Sequence, residues 1–165
     1  IEMMQYLDDS FHLTLVGDGP DKGFITDLIT KLKLQSKITC VNWMELSKVP
    51  DMMASADIFL SASHSETFGL TYIAALASRT PCVVYDYEIS REVIPPDTSI
   101  FLKTLDPKAW ADAILSLRKQ PERYQNLQKA IEEQYGMLKQ YSEENSAKEL
   151  VTFYKFVKRK KIKPE

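Results

Sequence analysis

The sequence predicts an α/β fold of the doubly wound, parallel-sheet class. Three observations carry that reading. Short apolar runs rich in β-branched and aromatic residues alternate with longer stretches of helical periodicity. Residues 56–85 form the clearest unit: a strand, a tight glycine turn, a helix and a second strand, the length of a parallel crossover. Glycines stand where strands end, at Gly17, Gly19 and Gly69, as a sharp strand-to-helix turn requires.

The elements follow in order. Residues 1–6 read as the tail of a helix, and residues 11–16 as a strand closed by Gly17-Asp18-Gly19-Pro20. The next helix opens at Pro20 or Asp21, with Phe24, Leu28, Leu32 and Leu34 on its apolar face. Residues 38–43 are a strand ending on Trp43, and residues 49–55 a short helix with Pro50 in its first turn. The strand at 56–62 leads into the 63–70 turn. The helix after it places Leu70, Ile73, Ala74 and Ala77 at core-facing spacing and stops at Pro81. Strands follow at 82–85 and 99–102, separated by a short helix around Glu92. Asp106-Pro107 caps a helix that buries Trp110, Ile114 and Leu117. Pro121 starts another, to about Gln140, and residues 142–158 form the last, with Leu150, Phe153, Tyr154 and Val157 as its apolar side.

At 165 residues the chain suits one domain with a proper core. It is 44% hydrophobic and 27% charged, and its formal charge of -2 gives no electrostatic case for general nucleic-acid binding. Cys40 and Cys82 both fall in predicted strands and read as two buried, inert thiols. No zinc-like spacing is visible, so no metal is expected. No stretch approaches the ~20 apolar residues of a membrane span, and no signal-peptide pattern is visible. The expectation is a cytoplasmic protein. The chain begins at Ile1 inside a helical pattern, so it is expected to be a fragment of a longer chain. The basic run at 158–163 has two readings: a solvated terminus, or contact with an anionic membrane surface or a partner.

In a parallel α/β fold ligands bind at the carboxyl edge of the strands, where free N–H groups at a helix start suit phosphate. Glu66 and the backbone of Phe68, Gly69 and Leu70 sit there. The Gly17–Gly19 turn reads either as a phosphate cradle or as a plain turn, since it lacks a third glycine at the dinucleotide spacing. Trp43 reads either as a stacking platform or as packing. His64 either reaches the cleft or is incidental.

The segment from Ser63 to Val83 resembles the signature of retaining nucleotide-sugar glycosyltransferases of the two-domain GT-B type. Their pattern is roughly S-x-x-E-x-F-G-L-x-x-x-E-A-x-A-x-G-T-P-V-V. Ser63, Glu66, Phe68, Gly69, Leu70, Ala75, Ala77, Thr80, Pro81 and Val83 match it. Two positions depart: Ala74 stands where the family has its second acid, and Arg79 where it has a glycine. Gly17-Asp18-Gly19-Pro20 is similar to another family strand end. Glu92-Val93-Ile94 is similar to the helix that follows the family's glycine-rich loop, although those glycines are missing here.

The resemblance implies the Rossmann-like, donor-binding half of such an enzyme, from Phe11 to about Ile114. It implies sugar transfer from a nucleotide-diphosphate donor to an acceptor held by a separate amino-terminal domain, with no further cofactor. It makes Glu66 the acid of the catalytic centre, contacting donor-sugar hydroxyls. The amides of Phe68, Gly69 and Leu70 meet the sugar and diphosphate, and Gly17, Gly19, Trp43 and Glu92 line the donor site. Ala74 takes the position that binds the ribose hydroxyls, and its methyl group accepts nothing. Losing two charge-assisted hydrogen bonds costs ~1.5–3 kcal/mol each, which implies weak donor binding unless Glu88 or Glu92 substitutes. Residues 1–165 alone are expected to be catalytically silent. Two other readings stay open: a degenerate relative that binds sugar or a protein partner without turnover, and an unrelated α/β binding domain.

Overall fold

The computed structural model describes residues 1–161. Every strand in it pairs in parallel. β1 (Leu13–Val16) pairs with β2 (Ile38–Val41), and β3 (Phe59–Ser61), β4 (Cys82–Tyr85) and β5 (Ser99–Leu102) form a second ladder in that order. Between them run α1 (Lys22–Lys31), α2 (Val49–Ala54), α3 (Leu70–Ala77) and α4 (Glu88–Val93). The carboxyl-terminal third is helical: α5 (Pro107–Lys119), α6 (Pro121–Leu138) and α7 (Glu143–Lys161). The α/β class and parallel crossovers are as expected, with the hydrogen-bonded pairing divided into two ladders.

β4 explains the layering. Its residues alternate between two cores, Val83 entering one and Cys82 and Val84 the other. A strand covered on both faces reads as a continuous apolar run, which is what Cys82-Val83-Val84-Tyr85 is. The Val83 core lies under both ladders, taking Ile38 from β2, Ile100 from β5 and the flanks of Leu13, Leu15 and Leu60. Trp110, Ile114 and Leu117 close it from α5. The opposite core packs Tyr72, Ala75 and Leu76 of α3 against Val93, Ile94, Ile131 and Leu138.

Several expected elements are corrected. Residues 2–6 form a 3-10 turn that buries Met3 and Met4. β1, β2 and β3 are each shorter than expected, and Asn42 and Trp43 lie beyond β2. On α1 the inward stripe runs through Ile25, Leu28, Ile29 and Leu32, while Phe24 is 67% exposed. On α3 the buried face is Tyr72, Ala75 and Leu76, and Leu70 points outward at 68% exposure. Cys40 is exposed; only Cys82 is buried, and burial pushes its thiol pKa up to about 12. α7 keeps Leu150, Phe153 and Tyr154 exposed, so its apolar side covers no core among the described residues. The basic run begins within α7, and Ile162 and Lys163 lie outside the described residues.

Two helices end in Schellman motifs whose left-handed position is not glycine. Lys33 (φ 56°) follows α1, with Leu34 N–H donating to Ile29 O and Lys33 N–H to Thr30 O. Arg79 (φ 61°) follows α3, with Thr80 N–H donating to Ala75 O and Arg79 N–H to Leu76 O. The geometry explains why a glycine suits the position of Arg79. Arg79 is held by Glu132 at 3.7 Å and by the Tyr135 ring at 5.4 Å.

Candidate active site at the carboxyl edge of the strands

The site is built around the turn between β3 and α3. Gly69 is its pivot. It caps α3 in the left-handed region (φ 74°, ψ 39°) and is buried, and its carbonyl accepts from Tyr72 N–H at 2.9 Å. The N–H groups of Phe68, Gly69 and Leu70 have no acceptor among the described residues. The turn thus offers three unused donors at the start of a helix, where the backbone dipole also favours an anion. The side chain of Glu66 is half-buried beside them and makes no hydrogen bond or ion pair with the described residues. Phe68 is 46% exposed and meets Tyr141 edge-on, ring centres 5.6 Å apart. Ala74 sits half-buried one turn into α3.

The neighbouring β4–α4 loop is fixed by side chains. Arg91 makes a bidentate pair with Asp86, at 2.6 and 2.8 Å, and its guanidinium lies 3.8 Å from the centre of the Phe101 ring. Hydrogen bonds from Arg91 hold the Asp86 carboxyl below its ordinary pKa. Asp86 N–H donates to Leu102 O at 2.8 Å, and Tyr87 N–H to the buried Ser90 Oγ at 3.1 Å. Where the resembling family has glycines, this loop is clamped from both ends. Glu88 opens α4 and Glu92 lies on its exposed face, with no hydrogen bond or ion pair to the described residues. His64 meets Tyr85 edge-on at 6.3 Å.

The β1 and β2 ends carry the remaining expected residues. Gly17 (φ 144°) donates its N–H to Val41 O at 3.0 Å, and Asp18 Oδ1 accepts from Gly19 N–H at 2.9 Å. Both glycine amides are therefore engaged within the protein. Trp43 is 73% exposed, so packing does not hold it. Among the described residues no hydrogen bond or ion pair joins this group to the Glu66 turn, so the contacts bring the expected residues together as two sets.

Sequence reasoning missed Lys22, Tyr72 and Tyr87. Lys22 Nζ lies 2.7 Å from Asn42 Oδ1 and 3.7 Å from Asp18 Oδ1, tying the β1 turn to the end of β2. The i,i+4 spacing of Asp18 and Lys22 was the available signal. Tyr72 and Tyr87 read as ordinary aromatics, and nothing in their spacing marks their hydroxyls. Among the described residues no group of three His, Cys, Asp or Glu side chains forms a metal site, and no helix is long and apolar enough to cross a membrane.

Parallel crossovers, with free amides and an acid at the strand edge, place the chain in the class of α/β proteins whose ligands bind at the carboxyl edge of the strands. More particularly, residues 1–134 match the model of the family Glycosyl transferases group 1, and the chain belongs to that family. This removes the reading as an unrelated α/β binding domain. The chain is 33% identical over 141 residues to alpha-monoglucosyldiacylglycerol synthase of Acholeplasma laidlawii, covering 85% of this chain and 34% of the relative. It is 30% identical over 143 residues to N-acetyl-alpha-D-glucosaminyl L-malate synthase of Bacillus anthracis, covering 86% and 36%. It therefore spans about a third of the length of these curated relatives. Among solved structures, a glycosyltransferase from Rickettsia africae superposes with a TM-score of 0.80 at 23% identity, over 94% of this chain and 42% of that one. Anabaena HepE in complex with UDP-glucose superposes with a TM-score of 0.73 at 16% identity, over 84% and 39%. These likenesses show the same α/β fold.

Proposed function

We propose that this chain is the donor-binding part of a glycosyltransferase that moves a sugar from a nucleotide diphosphate to an acceptor. The observation that carries the reading is the Glu66 turn: an unpaired acid beside three unused N–H donors at the start of α3, in a chain of the glycosyl transferases group 1 family. In this reading Glu66 accepts hydrogen bonds from hydroxyls of the donor sugar. The amides of Phe68, Gly69 and Leu70 face the diphosphate and stabilise its charge as it leaves. Trp43 stacks on the base, Gly17 and Gly19 let the β1 loop pass close to the ligand, and Glu92 reaches it from α4. The chemistry needs no cofactor beyond the nucleotide sugar. The similarity to HepE, solved with UDP-glucose, supports a uridine donor. A further domain holds the acceptor. The place of the reaction is glycan biosynthesis in the cytoplasm, with the basic run at 158–163 meeting an anionic membrane surface.

Titration of the full-length protein with UDP-glucose and other nucleotide sugars tests this. Saturable binding and measurable transfer are expected. Glu66→Ala should lower transfer by roughly tenfold or more, the loss of a charge-assisted hydrogen bond. Its melting temperature should be unchanged, because the Glu66 side chain makes no bond within the fold. A folded full-length protein that binds no nucleotide sugar overturns the reading and leaves a non-catalytic binding module.

A further inference from the structure

Behind the Glu66 turn lies a set of hydroxyls that the proposed function does not use. Tyr72 is fully buried, with its ring directly beneath Gly69. Its hydroxyl lies 3.4 Å from Ser61 Oγ, and Ser61 Oγ accepts from Ser63 N–H at 3.4 Å. This chain of contacts runs from α3 through the last residue of β3 into the turn. Tyr87 approaches the same place from the β4–α4 loop. Its ring stacks on Tyr85 at 6.4 Å, and its backbone is fixed by the bond to Ser90. Its hydroxyl oxygen is buried and has no hydrogen-bond partner among the described residues. Burial, followed by the Tyr72 hydroxyl and the Glu66 charge, pushes the Tyr87 pKa up, while the backbone N–H of Glu66 acts in the opposite direction.

A buried hydroxyl without a partner is destabilising, and a phenylalanine would fill the same space without that cost. Two groups stand by it without completing a bond, the Tyr72 hydroxyl and the backbone of the turn at Glu66. Tyr87 stands on a clamped loop, so a small movement of the turn is what completes the bond. We propose that Tyr87 is a positioning residue for Glu66: its hydroxyl, backed by Tyr72, forms a hydrogen bond with the turn of residues 63–69 and fixes it when the turn settles on a ligand. The proposal rests on the reading of Glu66 as the acid that binds donor sugar.

The test is Tyr87→Phe in the full-length protein, read three ways. Melting temperature should be unchanged or raised, because no native bond is lost. With UDP-glucose as donor, kcat/KM should fall by roughly tenfold, mostly through KM, as one hydrogen bond to the bound state is removed. Amide hydrogen exchange should quicken across residues 63–70 when UDP-glucose is present, and stay as in the wild type elsewhere. Tyr72→Phe, which loses the contact with Ser61, should quicken exchange in the same segment. A Tyr87→Phe variant that matches the wild type in KM and exchange overturns the proposal. So does one whose melting temperature falls together with its activity, because the tyrosine is then part of the fold. If the wild type transfers no sugar yet the variant still alters exchange at residues 63–70, the positioning role stands and the transferase reading fails.

Discussion

Gly69 and Tyr72 occupy space that no larger pair could share. A Cβ at Gly69 would lie 2.6 Å from Tyr72 Cδ2 and 2.9 Å from Cε2, and Tyr72 is fully buried. Gly69→Ala therefore meets two obstacles, a left-handed backbone and a ring with nowhere to go. The first costs about 1–2 kcal/mol and the second about 1–3 kcal/mol. Urea unfolding should show a loss of roughly 2–5 kcal/mol. Combining Gly69→Ala with Tyr72→Leu should recover part of the loss, since the double change removes the ring, and a double-mutant cycle reads the coupling.

Lys33 makes the opposite case. It is exposed and holds φ 56° at the end of α1, where a glycine carries no steric penalty. Lys33→Gly should stabilise the fold by about 0.5–1 kcal/mol. Thermal unfolding should move up by roughly 1–4 °C. Arg79→Gly should gain less, because it also gives up Glu132 and the Tyr135 ring.

The Asp86–Arg91 pair sets a pH dependence. The folded pKa of Asp86 lies below its unfolded value of about 3.9. Its contribution is therefore complete above that unfolded value and is lost as pH falls through the lower folded value. Asp86→Asn should destabilise the protein at pH 7 by about 1 kcal/mol, small because Arg91 is half-exposed. The gap between variant and wild type should narrow as pH drops below about 4. A gap that stays constant down to pH 2 would show that the pair does not titrate as described.

Ala74 bears on donor affinity. It is half-buried on α3, and Glu88 and Glu92, the two candidates to take its place, lie exposed on α4. Ala74→Glu should tighten UDP-glucose binding by roughly tenfold, since one charge-assisted hydrogen bond contributes about 1.5–3 kcal/mol. Calorimetric titration of both proteins checks this. Equal, strong binding by the wild type would show that another group already serves the ribose.

The legible parts of the fold were those where composition leaves one solution. Residues 82–85 and 99–102 are short apolar runs bounded by Pro81, Asp86 and charged or proline-rich flanks, and both strands fall at the expected bounds. Asp106-Pro107 opens α5 as its residue types require, with Asp106 accepting from Lys108 and Ala109 N–H. α3 was misphased because Leu-Thr-Tyr-Ile-Ala-Ala-Leu-Ala is apolar nearly all round, so no polar side marks which face turns inward. At the site, Glu66 and Gly69 were visible through a motif. The division of the expected ligand residues between two ladders was not, because strand pairing is a long-range property. Neither was the unpartnered hydroxyl of Tyr87, since an aromatic reads as core whether or not its hydroxyl finds a partner.

The division into two ladders also governs how the chain behaves among its own copies. Strands β1, β2, β3 and β5 each pair on one side only among the described residues. An unpaired edge is a row of amides and carbonyls able to register with any extended backbone, including that of an identical molecule. Each edge is only three or four residues long, which limits the grip of any one encounter. Yet Leu13-Thr14-Leu15-Val16 and Phe59-Leu60-Ser61 carry no charge to repel a neighbour. When the protein is concentrated, strand addition at these edges is the expected route of self-association.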